Sequence, residues 1–477
     1  MTEFLNKEAL ELAKDPKLLF RIKKDLDKGI AGEDRTKLLL FLIAVSSFTR
    51  KPLGAIVTGE SSSGKSYVVN QVLKYFSNVE RFSRITKAAP DRLGQNFDGR
   101  ILYIDELRGA EAAQASLRVW ISEGSLHLLT TELDENGKIV TKEIETNGTP
   151  VFITTHAGTM IDEELLNRVF LVSIDESKKQ TRAVMDFEAE EFMDPHFDDR
   201  LEPDPVICKF LEILQPWDVK IPFAKKLAEY FPADSVKARR DFRKLLNLIY
   251  VCAFLHQYQR PMAQDPKDKT KTFILAMPED FLIVWRLASE SMRNTLLNLQ
   301  QRFVEVLELF ENEENIHTSK SVAAATNLSQ NRAREILNYL VARGFLLVDE
   351  SERPYKYFLK KKFKLDTMSK IVPQIMSFGE KDLKEYLLTF QLNARPIGAE
   401  TFEEPTKRLL LKPLDFIVDP INGQPLHSLY IGRALQNPEK NKEKALTPKN
   451  SIRTSTILPI VLNSKHIIKN GGEKEKC

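Results

Sequence analysis

Cysteine is scarce in this chain. Only Cys208, Cys252 and Cys477 occur in 477 residues, with no CxxC pair among them. That spacing excludes a zinc ribbon and a disulfide framework, and it suits reduced thiols in the cytoplasm. A charge excess is missing as well: 70 Lys and Arg face 67 Asp and Glu, a net charge of +3, so any surface for a polyanion has to be a local patch. Long apolar runs are also lacking. The longest, residues 38–45, is about half of what a membrane span needs and predicts a buried helix, so no membrane partner is expected. Residues 1–10 carry early acids and no apolar core of signal-peptide length, so no secretory leader is expected. What remains, with 42% hydrophobic and 29% charged residues, is the composition of a globular chain long enough for about three or four domains.

Against this background one stretch stands out: Gly59-Glu60-Ser61-Ser62-Ser63-Gly64-Lys65-Ser66. It fits the GxxxxGK[ST] pattern, in which two glycines let backbone N–H groups turn toward phosphate oxygens and the next helix presents its positive end. Lys65 then reaches the outer phosphates, the Ser66 hydroxyl ligates Mg²⁺, and the implied cofactors are ATP and Mg²⁺. The context is right, because residues 55–58 read as a buried strand entering the loop and 67–73 as a helix leaving it. Downstream, Ile101-Leu102-Tyr103-Ile104 reads as a strand ending in Asp105-Glu106. An apolar strand closed by Asp-Glu after such a loop places Asp105 on the Mg²⁺ through water and Glu106 beside the attacking water.

The rest of the chain divides by pattern. Residues 1–51 predict a helical N-terminal segment, 52–175 an α/β core of parallel strands with helical crossovers, and 176–300 a mostly helical segment with a polar connector over 261–271. Within the core, 126–133 and 138–144 flank Asp134-Glu135-Asn136-Gly137, a hairpin signal. Its partly polar arms predict a ribbon that projects, with Lys138 near the tip and Lys142 along one arm. Such ribbons either decorate a surface or grip something. Residues 150–156 form a further strand ending in Thr155 and His156. Residues 301–362 read as a winged helix: three short helices, then two strands, with Arg332 and Arg334 early in the third helix, where a groove-reading helix meets bases. Winged helices also dock proteins. No function is legible over 363–477, whose composition suits partial disorder.

The order of these motifs resembles that of AAA+ ATPases, and within them it is similar to minichromosome-maintenance-type helicases and related primase-helicases of mobile elements. The likeness covers about residues 50–360. It implies an α/β AAA+ P-loop ATPase core with a helical lid, then an α+β winged-helix domain. Leu165-Leu166-Asn167-Arg168-Val169-Phe170 is similar to the family's arginine-finger segment, which makes Arg168 a finger acting on a neighbouring subunit's nucleotide. Arg240-Asp241-Phe242-Arg243 is similar to the sensor 2 helix, which puts Arg240 on the γ-phosphate, with Arg239 the choice in the adjacent register. The ribbon takes the place of the pre-sensor hairpin and promotes Lys138. Where the family carries a sensor 1 Asn, this chain has Thr155 or His156.

The resemblance implies an ATP-dependent DNA helicase or translocase in the replication of a mobile element. It would work as a homo-oligomer, a hexameric ring with single-stranded DNA in its pore and duplex on the winged helix. The cysteines build no primase zinc finger, so any primase would be a separate polypeptide. Two other classes remain open: a helicase loader that remodels a protein partner, and a DNA-binding initiator that uses ATP as an assembly switch.

Overall fold

The N-terminal stretch forms α1 (Thr2–Lys14), α2 (Leu18–Leu26) and α3 (Asp34–Val45). The computed structural model describes residues 2–426 apart from 87–88, 107–110, 134–137, 158–160, 234–235, 311–315, 352, 361–370, 396, 398–399 and 403–417. In α3, Leu38 through Val45 are at most 2% exposed, as a helix apolar on every face must be. Among the described residues no helix is long and apolar enough to cross a membrane.

The core follows as β1 (Gly54–Thr58), α4 (Lys65–Leu73), β2 (Val79–Phe82), β3 (Ile101–Ile104), α5 (Glu111–Glu123), β4 (Ser125–Leu133), β5 (Ile139–Asn147), β6 (Val151–His156), α6 (Glu163–Leu166) and β7 (Phe170–Ser173). Five of the strands make one sheet in the order β2-β3-β6-β1-β7, every neighbouring pair parallel. β1, β3 and β6 are buried along their whole length. Strands covered on both faces are written as unbroken apolar runs, which is why they were visible in the sequence. Thr58 lies opposite His156 on one side and Ser173 on the other, and Ile104 lies opposite Thr154. The carboxyl ends of β1, β3, β6 and β7 therefore finish along one edge, where open α/β sheets hold their ligands.

β4 and β5 form a two-stranded sheet, register running from Ser125 opposite Asn147 to Leu133 opposite Ile139. The tip, 134–137, lies outside the described residues. The root is tied into the core: Trp120 Nε1 donates to the Gly148 carbonyl at 2.7 Å, and the Trp120 ring meets Phe97 edge-on at 4.8 Å. Gly148 sits at φ +80°, and a Cβ there would fall 2.3 Å from the Asp98 nitrogen, so only glycine makes this corner.

Beyond the sheet come α7 (Lys178–Met193), α8 (Phe197–Arg200), α9 (Pro205–Glu212), β8 (Asp218–Lys220), α10 (Ala224–Tyr230), α11 (Ala238–Leu255), β9 (Met262–Asp265), β10 (Asp268–Leu275) and α12 (Pro278–Leu297). Then follow α13 (Gln301–Glu308), α14 (Ser319–Thr326), α15 (Gln330–Ala342), β11 (Leu346–Asp349), β12 (Lys356–Leu359), α16 (Ile371–Met376), α17 (Glu380–Thr389) and β13 (Asn393–Arg395). Thr318 caps α14 by accepting the Ser321 N–H, and Ser329 caps α15 by accepting the Arg332 N–H.

One feature departs from the sequence reading. The stretch 261–271 is no connector: β9 and β10 pair antiparallel within a second sheet, ordered β13-β9-β10-β8. β10 opens Asp-Lys-Thr-Lys-Thr and buries only its last three residues, so it carries little of a strand's apolar signature. Of the chain after 362, the described residues 371–395 and 418–426 pack on the fold. β13 joins β9, Lys226 pairs with Asp382 at 2.7 Å, and the buried Asp419 holds Arg286 at 3.2 Å. The N-terminal helices pack on the rest of the fold, α1 on α9 and α3 on α4, α11 and α12, as the apolar run 38–45 predicts for a buried helix. Gln259 Nε2 also donates to the carbonyls of Ala13 and Asp15.

Candidate nucleotide site

The glycine loop leaves β1 at Gly59 and enters α4 through Gly64, whose φ of +82° lets the chain turn the first amides of α4 toward a ligand. Glu60, Ser61, Ser62 and Gly64 are exposed or nearly so, while Lys65 is buried. The Lys65 ammonium lies along the loop, donating to the Gly59 carbonyl at 3.1 Å, to the Glu60 carbonyl and to Ser63 Oγ at 3.3 Å. Burial draws its pKa down, and the carboxylates of Glu176, Glu106 and Glu60 draw it back up. Lys65 and Glu106, far apart in sequence, are thus within electrostatic reach of each other.

Tyr103 joins the two halves of the expected magnesium site. Its hydroxyl donates to Asp105 Oδ1 at 2.7 Å, and the Ser66 side chain lies near enough to act on the phenol. Burial and the Asp105 carboxylate together push the phenol's pKa well up, so it stays a neutral donor. Thr155 Oγ1 donates to the backbone carbonyl of Asp105, and His156 is buried beside it. Thr155 therefore positions the Asp105 backbone. A hydroxyl and a carboxylate meeting on one phenol are the hard oxygen donors Mg²⁺ takes, with water filling its remaining positions, so Ser66 and Asp105 fit the ion. Bound there with a nucleotide, Mg²⁺ would neutralise phosphate charge. Lys65 would hold the outer phosphates and Glu106 a water in line with them.

The two arginines lie elsewhere. Arg168 donates to the Glu164 carbonyl at 2.6 Å and to Ser122 Oγ. Its pKa is lowered by burial and, next, by the positive charge of Arg240. They are neighbours because α11 is bolted to the segment after α6. Lys244, on α11, donates to the Val169 carbonyl at 3.1 Å and pairs with the buried Asp241 at 2.8 Å. About two turns earlier Lys237 binds Asn298 and the last carbonyls of α12, burial lowering its pKa to about 8. Arg168 and Arg240 therefore form a single basic patch, and the charges acting on Lys65 are those of Glu176, Glu106 and Glu60. Arg239 is exposed in the same first turn.

Lys138 and Lys142 are exposed on the ribbon, among arms that also expose Leu129 and Ile139 at 72% and 70%. Arg332 and Arg334 part company. Arg334 is exposed, while Arg332 pairs with Glu335 at 2.9 Å and lines a cavity of about 630 Å³ beside the glycine loop. That cavity is also lined by Thr58, Gly59, Glu60, Glu176 and Arg302. Sequence reasoning passed over Tyr103 and Glu176. It also passed over a buried cluster of Cys252, His256 and Asp280, whose His stands one helical turn after its Cys. Both oxygens of Asp280 are held by Arg260, at 2.7 and 2.9 Å, so the cluster reads as core hydrogen bonding.

A family model described as "MTBMA_p00010 P-loop domain" matches residues 3–211. The matched span runs from α1 to α9, two helices that pack on each other. No curated protein matches the chain. A solved structure described as a "putative ATPase" from Cytophaga hutchinsonii aligns with 58% of this chain and 88% of its own. The identity is 13% and the TM-score 0.36, too distant a likeness to bear on function. The parallel sheet, the glycine loop and the Ser66–Tyr103–Asp105 arrangement define a P-loop ATPase core.

Proposed function

We propose that this P-loop ATPase is a DNA translocase of the helicase type, working as a ring-shaped homo-oligomer in replication of a mobile element. The observation that carries the reading is the rooting of the ribbon. β4 and β5 are inserted between β3, which ends at Asp105-Glu106, and β6, which ends at Thr155-His156. A change at the nucleotide edge therefore has a short rigid route to the lysines, through the Trp120 and Gly148 anchor. The basic patch of Arg168 and Arg240 supports the oligomer. Arginines supplied from outside stabilise a transferring phosphoryl by about 10³–10⁵ in rate where this has been measured. In this reading these two serve a neighbour's nucleotide. α7 has no buried residue and exposes Phe192 and Met193, apolar surface that a neighbouring subunit would cover.

In this reading residues 176–300 are the lid and residues 301–362 a winged helix, with Arg334 facing outward to a duplex and Arg332 turned inward. The pore would hold single-stranded DNA, and a primase would be a separate chain. A second reading, a loader or initiator that uses ATP to remodel a partner, is favoured by Arg332, because a groove-reading helix with one arginine turned inward suits a docked domain.

Fork unwinding by Lys138→Ala/Lys142→Ala chains separates the two readings. A translocase should lose unwinding and DNA-stimulated turnover together, keep basal ATP hydrolysis, and show a log–log salt slope for single strands shallower by about 0.7 per lost contact. Unwinding equal to the parent's, in an oligomer of normal size, would remove the ribbon as the moving element and leave the loader ahead.

A further inference from the structure

Glu176 is a half-buried carboxylate that the chemistry described above does not use. It follows β7 and reaches back to the glycine loop, where it accepts the Glu60 N–H. The fit is close: a Cβ on Gly59 would stand 3.1 Å from Glu176 Oε1. Its side chain is 17% exposed, and it heads the charges that act on Lys65. Its other oxygen faces Arg302 Nε at 3.9 Å. Arg302 is the second residue of α13, the first helix of the three-helix unit, and it also holds Glu305 at 2.9 Å. A second link runs alongside. The Gln301 N–H donates to Ser173 Oγ at 3.4 Å, and that hydroxyl lies 3.2 Å from Thr58 Oγ1, on the residue before Gly59. Arg332 of α15 faces the same cavity. Two elements of the three-helix unit thus touch the wall of the phosphate-binding loop.

We propose that Glu176 is a positioning residue of the phosphate-binding loop, and that Arg302 places it under the control of the three-helix unit over 301–359. This rests on the loop being the nucleotide site. Glu176 does two things at once. Its hydrogen bond to Glu60 holds the loop's first turn, and its negative charge competes with phosphate for Lys65. Arg302, when seated, neutralises that charge and leaves the hydrogen bond. When α13 withdraws Arg302, a bare carboxylate remains beside the phosphates. Nucleotide affinity then follows the seating of α13, and by linkage the nucleotide must bias that seating in return.

The signs make this testable in the full chain. Glu176→Gln keeps an acceptor for the Glu60 N–H and removes the charge, so a fluorescent ATP analogue should bind about tenfold more tightly, or ~1.4 kcal/mol. Arg302→Ala should bind the analogue about tenfold more weakly, with the double variant matching Glu176→Gln. Arg302→Gln serves as a second neutral variant should the alanine chain fold poorly, and thermal melting confirms folding in each. Saturating nucleotide should also change amide exchange over residues 301–308 in the parent and leave it unchanged in Glu176→Gln. A merely structural Glu176 predicts that both single variants weaken binding. That result, or an Arg302→Ala effect that persists at full size in the Glu176→Gln background, would overturn the proposal. Lys65→Ala is the control on the underlying reading: if it binds the analogue as the parent does, the loop is not the site, whatever the other variants show.

Discussion

Removing the phenol oxygen of Tyr103 asks how Asp105 is held. The ring is 3% exposed, and its hydroxyl donates to Asp105 Oδ1 at 2.7 Å, beside Ser66. Thr155 secures the Asp105 carbonyl, which fixes the backbone and leaves the carboxylate free to swing. A hydrogen bond to a charged group contributes about 1.5–3 kcal/mol. Asp105 is only half-buried, so water can replace the phenol, and the stability lost in Tyr103→Phe belongs near ~1 kcal/mol. The chemistry should suffer more, because partners that orient a metal-binding carboxylate carry roughly 10–100-fold in metal affinity or activity. Phosphate release measured across a magnesium titration should show a midpoint raised about tenfold or more, with much of the turnover recovered at saturating metal. An unchanged midpoint, in a variant that melts like the parent, would refute the reasoning.

Glu33 gives a pH signature. Burial, with Asp175 adding, raises its carboxyl from an ordinary 4.5 to about 7, against the hydrogen bonds it accepts from Thr36 and the Asp175 N–H. Because the folded value is the higher one, stability present below 4.5 is lost as pH rises to about 7, by about 3 kcal/mol. Glu33→Gln keeps the acceptor, so its melting temperature relative to the parent should climb across that window; a constant difference would remove Glu33 as the cause. The arginine patch makes a different test. Arg168→Ala and Arg240→Ala chains should each bind ATP and turn it over poorly, and mixing them should restore nothing, since both lesions fall on the same face of every subunit. Recovered turnover at any ratio, in rings shown to be mixed, would mean that the two act from opposite sides.

What could be read from the chain follows from burial. β1, β3 and β6 announced themselves because both faces are covered, and the residues at their ends carried the motifs. Tyr103 was legible in principle: side chains two apart in a strand share a face, so Tyr103 and Asp105 had to lie together. Glu176 was not, because its partner Glu60 is 116 residues away and only the sheet brings them together. The pairing of Arg168 with Arg240 was hidden in the same way, since it depends on Lys244 reaching the Val169 carbonyl 75 residues back. β13 is three residues, Asn-Ala-Arg, too short to show a period, and its partner β9 lies far away in the sequence. The polar start of β10 hid that strand for the opposite reason, too little burial rather than too little length.

The proposed reading holds that the carboxyl edge of this sheet hydrolyses ATP and that DNA stimulates the hydrolysis. Steady-state ATP turnover of the full chain, with and without single-stranded DNA and beside a Glu106→Gln chain, tests it most directly. The parent should turn over ATP and be stimulated by DNA, while Glu106→Gln binds nucleotide as tightly and releases phosphate only at background, because the carboxylate that activates water is gone. Turnover in Glu106→Gln equal to the parent's would contradict the site, and a parent rate indifferent to DNA would contradict the coupling.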